Sequence, residues 1–433
     1  MSQRTTSRYE RLPADFFARN RQRFMDRMES GSVAVFFSND KMPRSGDTFH
    51  PFRQNPDFYY LTGIDQEDCA LILCPDMPVT SKREQLFLIE TNDHMAVWEG
   101  AKVDKDEGRA LSGIDAVHWL DAFDGALRHL LSYHGAIYVN MNENDRSGSA
   151  VRTRDWRFAE RMQRDFPLHD LKRSAPIMSA LRSIKHAEEV EVMNTACSIT
   201  EAAFRHVLDI MKPGIEEFVV ESNITHVFHS RRARGHAYEP IIASGGNACV
   251  LHYTSNNDVC ADGELVLMDF GCEYGNYASD LTRTIPVNGR FSDRQRAVYD
   301  ACLRVQREAI SMLQPGTTLN DFNREVRAVM SSELIGLGLI DKGLDETDRQ
   351  RATARYFPHG TSHFIGLDVH DLGNRYAPIE EDMCFTVEPG IYIPDEDIGV
   401  RIENDVVVRA GGNLDLMASI PVEVEEIEGL MNG

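Results

Sequence analysis

Two stretches in the second half of this 433-residue chain place acidic side chains where a β-strand should be apolar, and that conflict constrains the fold more than any other feature. The first, ELVLMDFGCEYGNYASDLTRTI, reads as two strands joined by a tight turn rich in Gly and Asn. Asp269 closes the apolar run from Leu265 to Met268, and Asp280 opens a second run with Thr282, Thr284 and Ile285. A turn centred on Tyr274 and Gly275 makes the two acids cross-strand partners. Like charges placed opposite one another destabilise a sheet. A bound cation reverses that sign by giving both carboxylates a shared counter-charge. The alternative, one acid facing solvent or capping the turn, has the apolar flanks against it, because they would bury both side chains.

The second stretch, FTVEPGIYIPDEDIGVRIEND, sets Glu388 and Glu403 symmetrically about a turn at Asp395 and Glu396, with Pro389 and Gly390 interrupting the strand. Strand interiors are depleted in acids, and a buried carboxylate needs a partner. Read alone, Glu403 is an ion-pair partner of Arg401. Between the two acid pairs lies PHGTSHFIGLDVHD, where His359, His363 and His370 share a segment that Pro358, Gly360 and Gly366 make loop and strand rather than helix. Loops carried on a rigid scaffold are where binding groups collect. A lone His is usually a satisfied polar residue, but three beside two acid pairs point to a site.

These motifs carry a resemblance. VLHYTSN around His252, LVLMDFG, SDLTRT, HGTSHFIGLDVHD, TVEPGIY and RIEND occur in the order found in the pita-bread metallopeptidases, and the chain most resembles their aminopeptidase P branch. The likeness spans roughly residues 250–405 and is specific as a set, though each motif alone is weak. It implies that Asp269, Asp280, His363, Glu388 and Glu403 are metal ligands, with Asp280 able to bridge two ions. It also implies that Glu388 moves a proton, that His252 and His370 contact substrate and its tetrahedral intermediate, that His359 lines a pocket for proline, and that Arg401 and Tyr392 orient the ligands. Taken without the resemblance, His252 reads as a strand-edge residue bonded to backbone.

Four carboxylates and one imidazole form a hard, oxygen-dominated set that suits Mn²⁺ or Co²⁺ better than a structural zinc, so Mn²⁺ is expected, with Co²⁺ or Zn²⁺ as alternatives. Four anionic ligands are best offset by two divalent ions about 3.5–4 Å apart, which would bring a bridging water from a pKa of ~15.7 towards neutrality. The expected reaction is peptide-bond hydrolysis: hydroxide attacks a polarised carbonyl, and Glu388 acts as general base and then acid. Specificity for an X-Pro bond is implied by the resemblance; an imide nitrogen lacks N–H and its ring fixes φ, so it needs a dedicated pocket.

A net charge of −22 disfavours nucleic acid and anionic membranes as partners. The start, MSQRTTSRYERLP, has no apolar core of a signal peptide, and no run approaches the ~18 apolar residues of a membrane span, so the expectation is a cytoplasmic protein. Eight scattered cysteines, Cys69 and Cys74 the closest pair, read as reduced core thiols.

The length predicts two domains, residues 1–173 and 174–433, divided at the polar stretch Leu171 to Pro176. The first alternates helical and strand patterns: an amphipathic segment at Phe16 to Met28, strands at Val33 to Phe37, Ala70 to Cys74 and Leu86 to Ile89, a helix near Leu127 and a strand at Ala136 to Val139. That is an α/β layer. Its PFRQNPDFYYLTG resembles the N-terminal domain of aminopeptidase P, where Arg53 and Asp57 either line the cleft or pair to fix the loop. The second domain begins with a helical pattern from Met178 and holds a faint repeat. Helix stops at Pro213-Gly214 and Pro315-Gly316, 102 positions apart, are each followed by an amphipathic helix, at Val219 to Val227 and Leu319 to Met330. Two such halves with a site between them match the α+β pita-bread domain, with its curved antiparallel sheet and pseudo-twofold repeat; two coincident Pro-Gly stops are the plainer account.

Four rival functions follow. X-Pro dipeptidase uses the same five ligands, and only the N-terminal segment argues against it. Creatinase-like chemistry and a non-enzymatic binding module both predict lost ligands, whereas all five are present here. Methionine aminopeptidase does not normally carry so large a first domain. Relatives of this kind are often homodimers or homotetramers.

Overall fold

The computed structural model describes residues 8–433 except 145 and 147, and these pack as two units: residues 11–181, and residues 182–433 together with Arg8–Glu10. Among the described residues no helix is long and apolar enough to cross a membrane.

The first unit is the expected α/β layer. Its six strands lie in the order Val117–Trp119, Glu84–Leu88, Ala70–Leu73, Ser32–Phe37, Ala136–Val139, Asp170–Arg173. The central strand SVAVFF is buried along its whole length because helices cover both faces. Val33, Val35 and Phe37 meet Phe123, Leu127 and Leu130 of the helix Phe123–Leu131 and Phe158 and Met162 of the helix Arg154–Asp165. On the other face Phe24 of the helix Ala14–Met25 packs edge-on against Phe36. The PFRQNPDFYYLTG segment forms a short helix, Pro56–Thr62, capped at its start by Asn55, whose side chain accepts from the N–H groups of Asp57 and Phe58. Its Phe58, Tyr59 and Tyr60 are buried, so this motif contributes to the unit's core.

The second unit repeats one plan twice. A long helix, Ala187–Ile210, stops at the first Pro-Gly and is followed by the helix Glu217–Ser230; another, Asp293–Met312, stops at the second and is followed by Leu319–Gly336. Each pair then feeds antiparallel strands. Leu265–Phe270 runs between Ile241–Ser244 and Leu281–Pro286, and Cys384–Val387 pairs with Asn404–Val407. An isolated bridge between Thr282 and Glu403 joins the two ladders, which brings the two acid-bearing stretches together.

The first hairpin is not in the expected register. Asp269 faces Thr282, not Asp280, and Tyr274 faces Tyr277, so the turn is Gly275-Asn276 rather than Tyr274-Gly275. Both turn residues have positive φ, +60° and +70°, the conformation of a two-residue turn whose twist matches its strands; Tyr274, an aromatic, stays in the ladder. A slip of two residues preserves the face, so Asp269 and Asp280 are diagonal neighbours on one side of the sheet. The second hairpin has the expected register, with Gly390 opposite Arg401 and Val387 opposite Asn404, and Glu388 and Glu403 fall in the gap between these two ladders.

Between the two halves of the first hairpin the ladder breaks at Gly271. A Cβ there would lie 1.7 Å from the carbonyl oxygen of Ser279, so only glycine allows the strands to close between the two aspartates. Gly271→Ala is therefore expected to destabilise the second unit by about 3 kcal/mol, at the top of the usual range for point changes. Urea denaturation followed by far-UV circular dichroism and Tyr fluorescence checks this; a midpoint for the second unit matching that of the parent chain would show that the backbone approach is not as drawn.

Candidate active site

All four acids and His363 converge. Asp269 sits on Leu265–Phe270, with Oδ1 2.6 Å from the hydroxyl of Tyr238 and Oδ2 2.6 Å from Nη2 of Arg401. Asp280 directly precedes Leu281–Pro286; its Oδ1 is 2.5 Å from the same Tyr238 hydroxyl, and its Oδ2 is 3.5 Å from Nε2 of His363. Glu403 accepts from the hydroxyl of Thr282 at 2.6 Å. Glu388 is fixed through its N–H to the carbonyl of Thr361 (2.8 Å), and its Oε1 lies 3.8 Å from Nε2 of His363. Ligand-type atoms of Asp280, His363 and Glu403 all come within 4.8 Å of one another.

Three features show that this donor set fits a cationic group. The Nδ1 of His363 is 3.0 Å from the carbonyl of Phe364, which can only accept, so Nδ1 carries the proton. In the neutral ring Nε2 then turns a lone pair towards the carboxylates of Asp280 and Glu388, an arrangement that a cation between them would satisfy. The single Tyr238 hydroxyl has one proton but two carboxylates within hydrogen-bond distance, so a second positive centre is needed if both acids are ionised. Charge gives the third. Among the described residues the guanidinium of Arg401 is a permanent cation beside the four acids, and burial together with mutual repulsion still pushes Asp280 and Glu403 well above the usual carboxylate range. Burial also raises Glu388 to about 7, against the pull of His363 and Arg401, and Tyr238 is raised by burial and by Asp269 and Asp280.

Arg401 and Tyr392 form the frame. Arg401 donates to Asp269, to the Tyr392 hydroxyl at 2.9 Å and to Thr282 at 3.1 Å. Tyr392 then donates to Nε2 of His359 at 2.8 Å, because Nδ1 of His359 is engaged with the carbonyl of Gly360. Burial, with Arg401 next, lowers His359 to about 4 and keeps its ring neutral. His370 lies edge-on to His363, centroids 4.5 Å apart. His252 is exposed, in the turn after the short helix Gly245–Cys249, and close enough to His359 that its charge helps depress that pKa.

Two contributors were not singled out in the sequence. Tyr238 offers no pattern at all; it arrives from the loop before Ile241–Ser244. Asp405 accepts the main-chain N–H of Asp280 at 3.1 Å, and its only cue was its place beside Glu403 in RIEND. All eight cysteines are free, and seven are buried.

Residues 191–410 match metallopeptidase family M24, and residues 17–138 match the aminopeptidase P N-terminal domain. The Xaa-Pro aminopeptidase of Escherichia coli is 35% identical over 96% of this chain and 97% of its own. Among solved structures, Pseudomonas aeruginosa aminopeptidase PepP superposes with a TM-score of 0.88 at 33% identity, covering 97% of this chain and 98% of that one. A glutamate-to-alanine form of Escherichia coli aminopeptidase P in complex with substrate gives 0.88 at 33% identity, over 98% and 99%. Fold and site thus define a two-domain metallopeptidase. The chain belongs to metallopeptidase family M24, in the form that carries an aminopeptidase P N-terminal domain.

The raised Glu388 predicts a specific pH dependence in chelator-treated protein. A carboxyl that titrates near 7 when folded and near 4.5 when unfolded is buried without ionic penalty below about pH 4.5; its contribution to stability is then lost as pH rises through 7. With chelator, Glu388→Gln should match the parent at pH 4.5 and exceed it at pH 8 by up to about 3 kcal/mol. Chemical denaturation at the two pH values checks this, and an equal difference at both would contradict it.

Proposed function

We propose that the protein is a metal-dependent Xaa-Pro aminopeptidase, removing the N-terminal residue from peptides with proline in second position. The observation that carries this reading is the convergence of Asp269, Asp280, His363, Glu388 and Glu403 around a histidine lone pair, in a chain whose full-length relatives bear that activity in their names. Those five residues would hold two divalent ions, Mn²⁺ in our reading with Co²⁺ or Zn²⁺ as alternatives. Such a pair, when bound, lowers the pKa of water from ~15.7 towards neutrality and polarises a carbonyl.

The chain's own groups supply the rest. Glu388 has its carboxylate at the edge of the cluster and only part-exposed, so it can take a proton from water and return it to the departing proline nitrogen. His370, against His363, and His252, on the exposed side near His359, are placed to donate to the developing oxyanion and to hold the peptide. His359 is kept neutral between Tyr392 and Phe357, with ring centroids 5.4 and 5.0 Å away, and offers a flat wall for a pyrrolidine ring. Arg401 and Tyr392 fix Asp269 and His359 in one frame, so the acid cluster and the proline wall keep a set distance. The acidic surface argues for peptide rather than nucleic-acid substrates. We place the enzyme in the cytoplasm, as a homodimer or homotetramer.

The test compares an X-Pro-Y tripeptide with an X-Pro dipeptide, each with Mn²⁺ and with chelator. Release of X from the tripeptide, abolished by chelator, is the expected result. Cleavage confined to the dipeptide would make the protein an X-Pro dipeptidase, and cleavage of neither with metal bound would make it a binding module.

A further inference from the structure

A buried ion cluster lies behind the site and belongs to none of the roles above. The carboxylate of Asp371 takes Nζ of Lys185 at 2.9 Å on one oxygen and Nη2 of Arg182 on the other, and all three side chains are at most 3% exposed. Arg182 also reaches Asp368 at 2.9 Å, and Lys185 donates to the carbonyl of Arg182 at 2.5 Å. Both cations come from RSIK, whose backbone is tied down by the Ile184–Met383 bridge and by the Lys185 N–H on the carbonyl of Asp382 at 2.8 Å.

What this cluster grips is the segment between two site histidines. Asp371 directly follows His370, and its N–H closes on the carbonyl of Phe364, next to His363, at 2.9 Å. The intervening loop lies over the ion pair so closely that a Cβ on Gly366 would come within 2.3 Å of Asp371 Oδ2 and 2.8 Å of Lys185 Nζ. Buried charge clusters are weak evidence for stability; where they are retained with a purpose, the best-attested one is to impose a single arrangement. Here that arrangement is the edge-on contact of His370 with His363. His363 has separate anchors, its N–H on Thr386 Oγ1 at 3.3 Å and its Nδ1 on Phe364. His370 sits beside the clamp.

We propose that Arg182, Lys185 and Asp371 are positioning residues that hold the imidazole of His370 in its catalytic place, without touching substrate or metal ligands. The inference rests on the reading of His370 as a catalytic residue. Two variants disturb the clamp differently: Lys185→Met leaves Asp371 paired with Arg182, and Gly366→Ala keeps every charge but crowds the loop. Each is made in the parent chain and in His370→Ala, and kcat, KM, manganese content at fixed free metal and thermal midpoint are measured. A displacement near 1 Å is enough to cost up to about 10²-fold, so each variant should lower kcat by about tenfold or more, with KM and manganese content little changed. In the His370→Ala background neither should cause any further loss. Losses that multiply in the double variants, or an unchanged kcat in both single variants, would overturn the proposal. A His370→Ala enzyme with undiminished kcat would remove the catalytic reading of His370 itself, and the clamp's role with it.

Discussion

Four carboxylates packed against one guanidinium cannot all be ionised without further positive charge, and the architecture of the second unit follows from that constraint. Asp269 and Asp280 share a single phenolic proton on Tyr238, while Glu403 leans on Thr282. Replacing water around these groups has a cost that neighbours alone do not repay, as the raised Asp280, Glu403 and Glu388 show. In our reading the fold tolerates this because the site receives cations. In that sense metal binding and the stability of the unit are one property.

The geometry is fixed by strands from two separate ladders rather than by one loop. Leu265–Phe270 and Leu281–Pro286 bring the aspartates, the hairpin around Gly390 and Arg401 brings the glutamates, and the Thr282–Glu403 bridge locks one to the other. Arg401 is the hub, since its three donors bind Asp269, Thr282 and Tyr392 and so set the acids and His359 at one spacing. Sites carried on such rigid elements keep a geometry that loops do not.

Much of this was legible in the sequence, for physical reasons. Acids inside apolar runs are costly enough to demand a partner, so Asp269, Asp280, Glu388 and Glu403 stood out. The side-chain period of two meant that even the mistaken register of the first hairpin put Asp269 and Asp280 on one face. The sequence centres the turn on Tyr274-Gly275, whereas the structure uses Gly275-Asn276, the pair suited to positive φ. Tyr238 and the Arg182–Lys185–Asp371 cluster were invisible for another reason. Their partners lie from 31 to 189 positions away, and no local pattern encodes such a meeting. Four of the six strands in the first unit's sheet were legible as apolar runs; the two edge strands, Val117–Trp119 and Asp170–Arg173, were not, the latter because its polar residues fall in the stretch that reads as a domain boundary.

The most direct test of the central claim is anomalous scattering from crystals grown with Mn²⁺, with data at the manganese edge. Two peaks about 3.5–4 Å apart, within bonding reach of Asp269, Asp280, His363, Glu388 and Glu403, are the result this account requires. Density for no ion at this cluster, or for manganese bound only elsewhere on the chain, would contradict it.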